Sequence, residues 1–300
     1  MQFVSSERKL RERFFASLDA IRDIPTFPRV AARLSAVMAR PASTMREVAD
    51  AIQQDPAVTA RLLQLVNSAY YRRITGGVAI SSVPFAVTRV GLEEIRNIVT
   101  TLSVFSLFPG AWADVDRVAF WRHCLETALA ARLVRARALG PAAPTRDADD
   151  EWYAAGLLHD IGIVVLDHYF RPDFVGILST ARRSAVPLHE VEQAMAGIDH
   201  AAVGAAVARR WGLPAPIVAA LEHHHDPGAA PAEHRALCAG VHLADYLCRA
   251  GEAGLVDREG ETASEAALAA LGLSVDDLDG LAAAAKTHAD QAGTLAELAA

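Results

Sequence analysis

Hydrophobic residues recur every three or four positions along most of the chain, which is the period of an α-helix. After Asp55-Pro56, for example, Val58, Leu62 and Leu65 fall on one helical face. The aspartate can cap the free N–H groups of a helix start, and proline lacks the N–H that would have no partner there. Hydrophobic residues make up 52% of the chain but aromatic residues only 6%, a mixture that favours helices over sheets. The sequence therefore predicts an all-α fold.

Helix-start and helix-stop signals divide the chain into a succession of predicted helices. Thr44 and Glu47 have the spacing of a capping box, in which each side chain satisfies a backbone N–H of the first turn. Gly91 separates two further helices, because glycine readily adopts the conformations that end a helix. The predicted helices cover residues 5–22, 30–39, 44–54, 56–69, 82–91, 92–105, 120–139, 147–159, 172–187, 200–211, 214–225 and 232–248.

Breaks rich in proline and glycine predict how these helices are grouped. We predict a two-lobed helical bundle with additions at both ends of the chain. Its parts are an N-terminal helix in 1–23, a first helical lobe in 24–110, a second helical lobe in 111–250 and a C-terminal helical extension in 251–300. Peripheral helices are predicted in the extension from its apolar residues Leu268, Leu271, Leu273, Leu278 and Leu281.

The charge distribution and the cysteines narrow the class of protein. Residues 1–110 carry 14 Lys/Arg and 9 Asp/Glu, whereas residues 111–300 carry 15 and 27, within a net charge of −7. No long basic run is present, which argues against direct nucleic-acid binding. No apolar stretch approaches the length of a membrane span. Three cysteines without CxxC spacing predict reduced core thiols, so we expect a cytoplasmic protein without disulfides.

Polar side chains interrupt the apolar helix faces of the predicted second lobe. His159 and Asp160 follow the run Ala154-Ala-Gly-Leu-Leu and are predicted inside a buried helix, where unpaired polar groups lose their hydration. The candidate metal ligands are His123, His159, Asp160, His200, His224, His225 and Asp245. We expect four of the other histidines, His168, His189, His234 and His288, to be exposed.

Imidazole and carboxylate groups gathered in one bundle suit a divalent metal such as Mn²⁺, Fe²⁺, Mg²⁺ or Zn²⁺. A bound metal could lower the pKa of a water molecule for attack on a phosphate ester. Each histidine taken singly could instead be a core residue that donates to a backbone carbonyl, and His159 and Asp160 could cap neighbouring helices. Both interpretations remain open at this point, although independent core histidines have no reason to keep the order of a ligand set.

The order of the candidate ligands resembles the HD superfamily of metal-dependent phosphohydrolases. Motifs of the first lobe are similar to those of the HDOD domain, an HD-related output domain of bacterial signalling proteins. These motifs are Asp55-Pro56-Ala-Val-Thr-Ala-Arg61, Asn67-Ser68-Ala69, Ile80 to Ala86, Val90-Gly91 and Arg96. The resemblance covers residues 24–250 and implies an all-helical regulatory module with an HD-domain-like second lobe, of a kind usually described as lacking demonstrated hydrolase activity.

Related HD-GYP domains hydrolyse cyclic di-GMP with a metal cluster, and this chain departs from their pattern at two places. Asp226-Pro227 stands where the Gly-Tyr-Pro loop would lie. Ala119 stands four residues before His123, where a metal-bridging glutamate could reach back. These departures argue against a complete phosphodiesterase site of the HD-GYP type.

Two hypotheses for function follow from the sequence. The first is a bacterial signal-transduction module that acts through a protein partner, with a metal or a cyclic nucleotide as candidate ligand of the second lobe. The second is a metal-dependent phosphohydrolase acting on a nucleotide or cyclic dinucleotide, with His159 and Asp160 as central ligands. An apolar edge on the N-terminal helix also makes a homodimer an expectation.

Overall fold

The computed structural model describes residues 28–38, 40, 43–108, 112, 115–140, 146–249 and 263–299. In these ranges every regular element is a helix, as the sequence predicts. The predicted N-terminal helix, and the homodimer edge placed on it, lie outside the described residues. The chain forms two compact units, of which the first comprises Thr26–Gly110 with Thr287–Ala300 and the second contains Ala111–Lys286.

The helices of the first unit are 6 to 14 residues long, and α2 and α3 begin at the predicted caps. In chain order they are α1 Arg29–Met38, α2 Met45–Gln53, α3 Pro56–Val66, α4 Ala69–Ile74, α5 Val83–Val90 and α6 Leu92–Phe105. Asp55 Oδ1 accepts hydrogen bonds from the backbone N–H groups of Ala57 and Val58 at 3.0 and 3.1 Å. Thr44 and Glu47 form both bonds of the capping box. These starts confirm the predicted helix signals.

The second unit contains the longest helix and the candidate ligands. Its helices are α7 Arg117–Leu139, α8 Arg146–Leu158, α9 Ile161–Tyr169, α10 Arg171–Ser184, α11 Leu188–Ala196, α12 His200–Arg210, α13 Ala215–His223, α14 Arg235–Arg249, α15 Glu265–Leu271 and α16 Val275–Lys286, with a 3-10 turn at Pro227–Ala229. Helix α11 is not among the helices predicted from the sequence, so the prediction for residues 187–200 is wrong. None of the described helices is long and apolar enough to cross a membrane.

The core of the second unit lies where α7, α8 and α14 pack together and α15 and α16 cover them. Small residues permit this approach, since a Cβ on Gly240 would lie 1.9 Å from the ring of Trp152. The five leucines predicted for peripheral helices are all buried in this core. Each of the three cysteines is buried and unpaired, as predicted.

The last described helix, α17 Ala289–Ala299, belongs to the first unit and packs against α3, α4 and α6. Ala292 and Leu295 face inward and are buried. Gln291 donates hydrogen bonds to Glu94 at 2.5 Å and to the Tyr71 hydroxyl at 3.3 Å, and Tyr71 also donates to Glu94 at 2.5 Å. A buried polar network therefore fastens α17 to the unit.

Candidate metal centre

The centre is built around a break between two helices. Helix α8 ends at Leu158 and α9 begins at Ile161, so the prediction that His159 and Asp160 lie inside one helix is wrong. The break allows α9 to turn toward α12, where the two backbones nearly touch. A Cβ on Gly162 would lie 2.0 Å from the carbonyl oxygen of His200. This turn places both His159 and Asp160 at a helix junction, buried and facing the same interior space.

One group of ligand atoms gathers beside His159. His123 on α7 places Nε2 3.3 Å from Nε2 of His159 and 3.2 Å from Oδ1 of Asp245 on α14. Oδ2 of Asp160 lies 3.2 Å from Nε2 of His159 and 3.7 Å from Nε2 of His123. Two imidazoles and two carboxylates, from two helices and the break, thus share one buried space.

A second group gathers beside the other oxygen of Asp160. Oδ1 lies 3.2 Å from Nε2 of His200 and 3.6 Å from Nε2 of His224. Nε2 of His225 lies 2.8 Å from Nε2 of His200. The structure therefore brings together all seven residues that the sequence singles out, with Asp160 between the two histidine groups.

The seven residues differ in how far they reach solvent. His159 and His224 are 0% exposed, and Asp160 has an exposure of only 7%. His123, His200 and Asp245 are likewise buried. His225 alone among the seven is half-buried. His225 is therefore the candidate ligand with the largest exposed fraction.

Each ring of the three buried histidines nearest Asp160 has an acceptor for its second nitrogen. Nδ1 of His159 lies 2.8 Å from the carbonyl oxygen of Gly156, and Nδ1 of His224 lies 2.8 Å from that of Leu221. Nδ1 of His200 lies 2.6 Å from Oε2 of Glu192. With Nδ1 engaged in this way, Nε2 is directed into the centre, where its lone pair is available to a metal when Nε2 carries no proton; outer acceptors orient metal-binding histidines in this manner.

The electrostatic environment separates the protonation states of these groups. Burial lowers the pKa of His200, but the carboxylates of Glu192 and Asp160 outweigh it and raise the pKa to about 10. Burial lowers the pKa of His224 to about 4. Burial alone would raise the pKa of Asp160, yet the adjacent His159 and the nearby His200 and His224 hold it well below its usual value. An ionised Asp160 thus carries a negative charge at the middle of the centre.

The atoms present fit a divalent metal. Within the described residues, the buried Nε2 of His224 has no hydrogen-bond partner. Nε2 atoms also face each other across 2.8 and 3.3 Å, where two lone pairs would repel unless a proton or a cation lay between them. A set of five imidazoles and two carboxylates suits Mn²⁺, Fe²⁺ or Zn²⁺ better than Mg²⁺, which prefers oxygen ligands.

Three residues near the centre are absent from the predicted set. Glu192 is 0% exposed and bonds to His200. His242 places Nδ1 2.7 Å from the carbonyl oxygen of His224. His189 stacks on His225, with ring centroids 4.0 Å apart.

The expectation that four further histidines are exposed holds only for His168. His189, His234 and His288 are half-buried, so the expectation is wrong for these three. His189 is covered by its stacking on the ring of His225. Histidine has an apolar ring body that packs readily, so its exposure does not follow from its polarity.

Comparison with known proteins identifies the family. The model of the HDOD domain matches residues 24–227, which include six of the seven candidate ligands and exclude Asp245. An uncharacterised protein of Treponema pallidum (strain Nichols) is 30% identical over 231 residues, or 77% of this chain. The chain spans only 43% of the length of that relative.

Solved structures share the helical architecture. An HDOD domain protein of unknown function from Geobacter sulfurreducens superimposes with a TM-score of 0.77 at 26% identity, covering 98% of each chain. A protein from Shewanella amazonensis SB2B, described provisionally as a metal-dependent phosphohydrolase, gives a TM-score of 0.54 at 25% identity over 94% of this chain and 99% of its own. By its family-model match and its conserved helical architecture, the chain belongs to the HDOD domain family.

Proposed function

We propose that this HDOD chain is a signal-transduction module that binds a divalent metal in its second unit and contacts a protein partner in a metal-dependent way. The observation that carries the proposal is the convergence of seven separate side chains on one buried space. The residues that would hold metal are His123, His159, Asp160, His200, His224, His225 and Asp245.

The origin of the ligands supports a regulatory role. They come from α7, the break after α8, the start of α12, the end of α13 and α14. A cation held by such residues cross-links elements that are far apart in sequence, and its binding energy stabilises the arrangement that holds it. Loading the centre would therefore bias how the helices of this unit pack, which is a change that a protein partner can detect.

The burial of the centre also favours regulation over catalysis. A hydrolase has to admit a substrate to the metal, and catalytic metal sites keep an open coordination position. Here His159 and His224 are fully buried, and only His225 is half-buried. The replacement of the Gly-Tyr-Pro loop by the turn at Pro227–Ala229 points the same way.

One observation favours the rival hypothesis, a metal-dependent phosphodiesterase acting on a nucleotide or cyclic dinucleotide. The two oxygens of Asp160 face two different histidine groups. A carboxylate shared in this way is suited to a pair of metals, and paired metals assist in-line displacement at phosphate esters. The provisional description of the Shewanella protein supports this alternative by analogy. A bound metal would supply Lewis acidity and an activated water in such a site.

Metal analysis with a parallel activity assay tests the proposal. Protein purified without chelator should contain stoichiometric transition metal by mass spectrometry, and Asp160→Asn should lose it. Asp279→Asn, an exposed aspartate on α16, is the matched control and should keep it. Hydrolysis of cyclic dinucleotides in Mn²⁺ that disappears in Asp160→Asn would establish the rival instead.

The partner interaction requires a separate experiment. Crosslinking of the wild-type protein in cells should capture a protein whose yield falls in Asp160→Asn but not in Asp279→Asn. Equal capture by all three proteins would contradict the metal-dependent part of the proposal.

A further inference from the structure

We propose that Glu192 is the positioning residue of His200, holding its ring so that Nε2 faces Asp160 and His225. The proposal rests on the proposed function only where it concerns metal affinity. Its structural part concerns the orientation of one imidazole in the protein without metal.

The contacts between Glu192 and His200 are short and both use one carboxylate oxygen. Oε2 of Glu192 accepts a hydrogen bond from the backbone N–H of His200 at 2.8 Å and lies 2.6 Å from its Nδ1. Backbone and ring are therefore fixed by the same atom. With Nδ1 engaged in this way, Nε2 is left 3.2 Å from Oδ1 of Asp160.

The position of His200 in its helix explains why a carboxylate is needed. His159 and His224 follow the ends of α8 and α13, and each bonds the carbonyl of the residue three positions earlier. Carbonyls near a helix C-terminus lack intrahelical partners, so those acceptors are available locally. His200 is instead the first residue of α12. The unsatisfied groups at a helix start are N–H donors, so an acceptor for Nδ1 has to come from elsewhere.

Glu192 supplies that acceptor from the preceding helix. It lies on α11, eight residues before His200, and is 0% exposed, whereas Glu190 on the same helix is exposed. A buried carboxylate is costly unless its charge is compensated. The contacts of Oε2 with the backbone N–H and Nδ1 of His200 compensate part of this cost, while Oε1 has no hydrogen-bond partner among the described residues. The pairing with His200 gives the burial of this glutamate a reason beyond packing.

The turn between α11 and α12 is braced so that the two residues stay in register. Gln193 donates a hydrogen bond to Oδ2 of Asp199 at 2.6 Å, and Oδ1 of Asp199 accepts from the backbone N–H of Ala202 at 2.8 Å. Gly197 has a φ of 68°, which a glycine adopts without strain. These contacts thus hold the carboxylate of Glu192 next to Nδ1 of His200.

Two variants and one control separate positioning from packing. Glu192→Leu removes the acceptor and keeps most of the volume, Glu192→Gln keeps an acceptor but removes the charge, and Glu190→Gln changes an exposed site on the same helix. All are compared with the wild type as the full chain without metal, after circular dichroism has shown that they are folded.

The first readout is the proton on Nδ1 of His200 in nuclear magnetic resonance spectra of metal-free protein, assigned with His200→Asn. The wild type and Glu190→Gln should show a strongly deshielded proton that exchanges slowly with solvent. Glu192→Leu should lose this signal. Glu192→Gln should keep it at a less deshielded position, because a neutral amide is a weaker acceptor than a carboxylate.

The second readout is the affinity for Mn²⁺ alone. Glu192→Leu should bind Mn²⁺ about 10-fold to 100-fold more weakly than the wild type, the usual effect of removing an outer acceptor. Glu192→Gln should recover part of this loss, and Glu190→Gln should match the wild type.

The two readouts distinguish a failure of the positioning role from a failure of the proposed metal function. A deshielded, protected Nδ1 proton that persists unchanged in Glu192→Leu overturns the positioning role. Should Glu192→Leu fail to fold, an unchanged signal in Glu192→Gln overturns it instead. A wild type that binds no Mn²⁺ refutes the proposed metal function, while the Nδ1 signal still decides the role of Glu192. Equal Mn²⁺ affinity in wild type and folded Glu192→Leu overturns the part that concerns affinity.

Discussion

The two units differ in how their buried and partly buried polar groups are paired. Two networks of the first unit pair donors with acceptors: Gln291 and Tyr71 both donate to Glu94, and the amide of Asn67 bonds the backbone of Ile80 in both directions. In the second unit, Nε2 atoms of two histidine pairs face each other. The first arrangement is complete as it stands, while the second needs a proton or a cation to balance it. The facing Nε2 atoms of the second unit therefore point to a bound proton or cation, whereas the network at Glu94 has a structural role.

The largest effect is expected from adding a methyl group where α9 and α12 approach most closely. Gly162→Ala would place a methyl group 2.0 Å from the carbonyl oxygen of His200, where backbone has to move. We expect the free energy of unfolding to fall by about 3 kcal/mol, at the upper end for overpacking. Gly176→Ala, at an exposed helical site with nothing within 4 Å, should instead raise it by about 0.5 kcal/mol. Urea unfolding measures both, and equal effects would contradict the close contact.

Metal binding should sharpen the contrast between the units. With Mn²⁺ at about 100 times its dissociation constant, the loaded form gains about 2.7 kcal/mol. Hydrogen exchange should therefore slow in residues 146–249 and stay unchanged in residues 43–108. Removing Mn²⁺ with a chelator should reverse the effect. Equal slowing in both ranges would show that the comparison between the units is wrong.

Removing one member of the network formed by Gln291, Tyr71 and Glu94 should lower the free energy of unfolding. Gln291→Ala removes the amide that donates to Glu94 and Tyr71, and hydrogen bonds to charged groups contribute about 2 kcal/mol. We expect that loss in the free energy of unfolding, with or without Mn²⁺. Glu297→Gln changes an exposed residue of the same helix and should have no measurable effect. A loss that depends on Mn²⁺ would contradict the architectural role of the network.

The smallest effect is expected from His224→Leu in the metal-free protein. The substitution removes a buried Nε2 that has no hydrogen-bond partner among the described residues, but it also removes the Nδ1 bond to the carbonyl oxygen of Leu221. Because these two changes oppose each other, the free energy of unfolding of the metal-free variant should stay within about 1 kcal/mol of that of the metal-free wild type. The variant should also lose the stabilisation by Mn²⁺. A larger destabilisation of the metal-free variant would show that the cluster is already balanced without a cation.

The fold could be predicted largely from local signals. Caps such as Asp55 and the Thr44–Glu47 pair act within a few residues, so the sequence contains all the information that they need. Helix α11 is not predicted because its polar and apolar residues do not form two clear faces. Leu188, Val191 and Met195 have helical spacing, but Met195 is 46% exposed and Glu192 is buried, so this helix does not separate polar from apolar faces cleanly.

The sequence predicts which residues form the site but not how they are arranged. The order of histidines and aspartates along the chain identified seven residues that the fold brings together, but their distances depend on how α9 and α12 approach at Gly162. Glu192 was missed because a glutamate on an amphipathic helix is usually exposed, and only the position of His200 at a helix start gives it a buried partner.

The carboxylate of Asp160 is a rigid planar group whose two oxygens keep a fixed separation. Whatever draws Oδ1 toward His200 and His224 also rotates Oδ2 relative to His159. Events in the two histidine groups are therefore linked energetically through one side chain, and the linkage is reciprocal. If each histidine group held one ion, occupancy of one group would change the affinity of the other, and the binding curve would depart from a simple hyperbola.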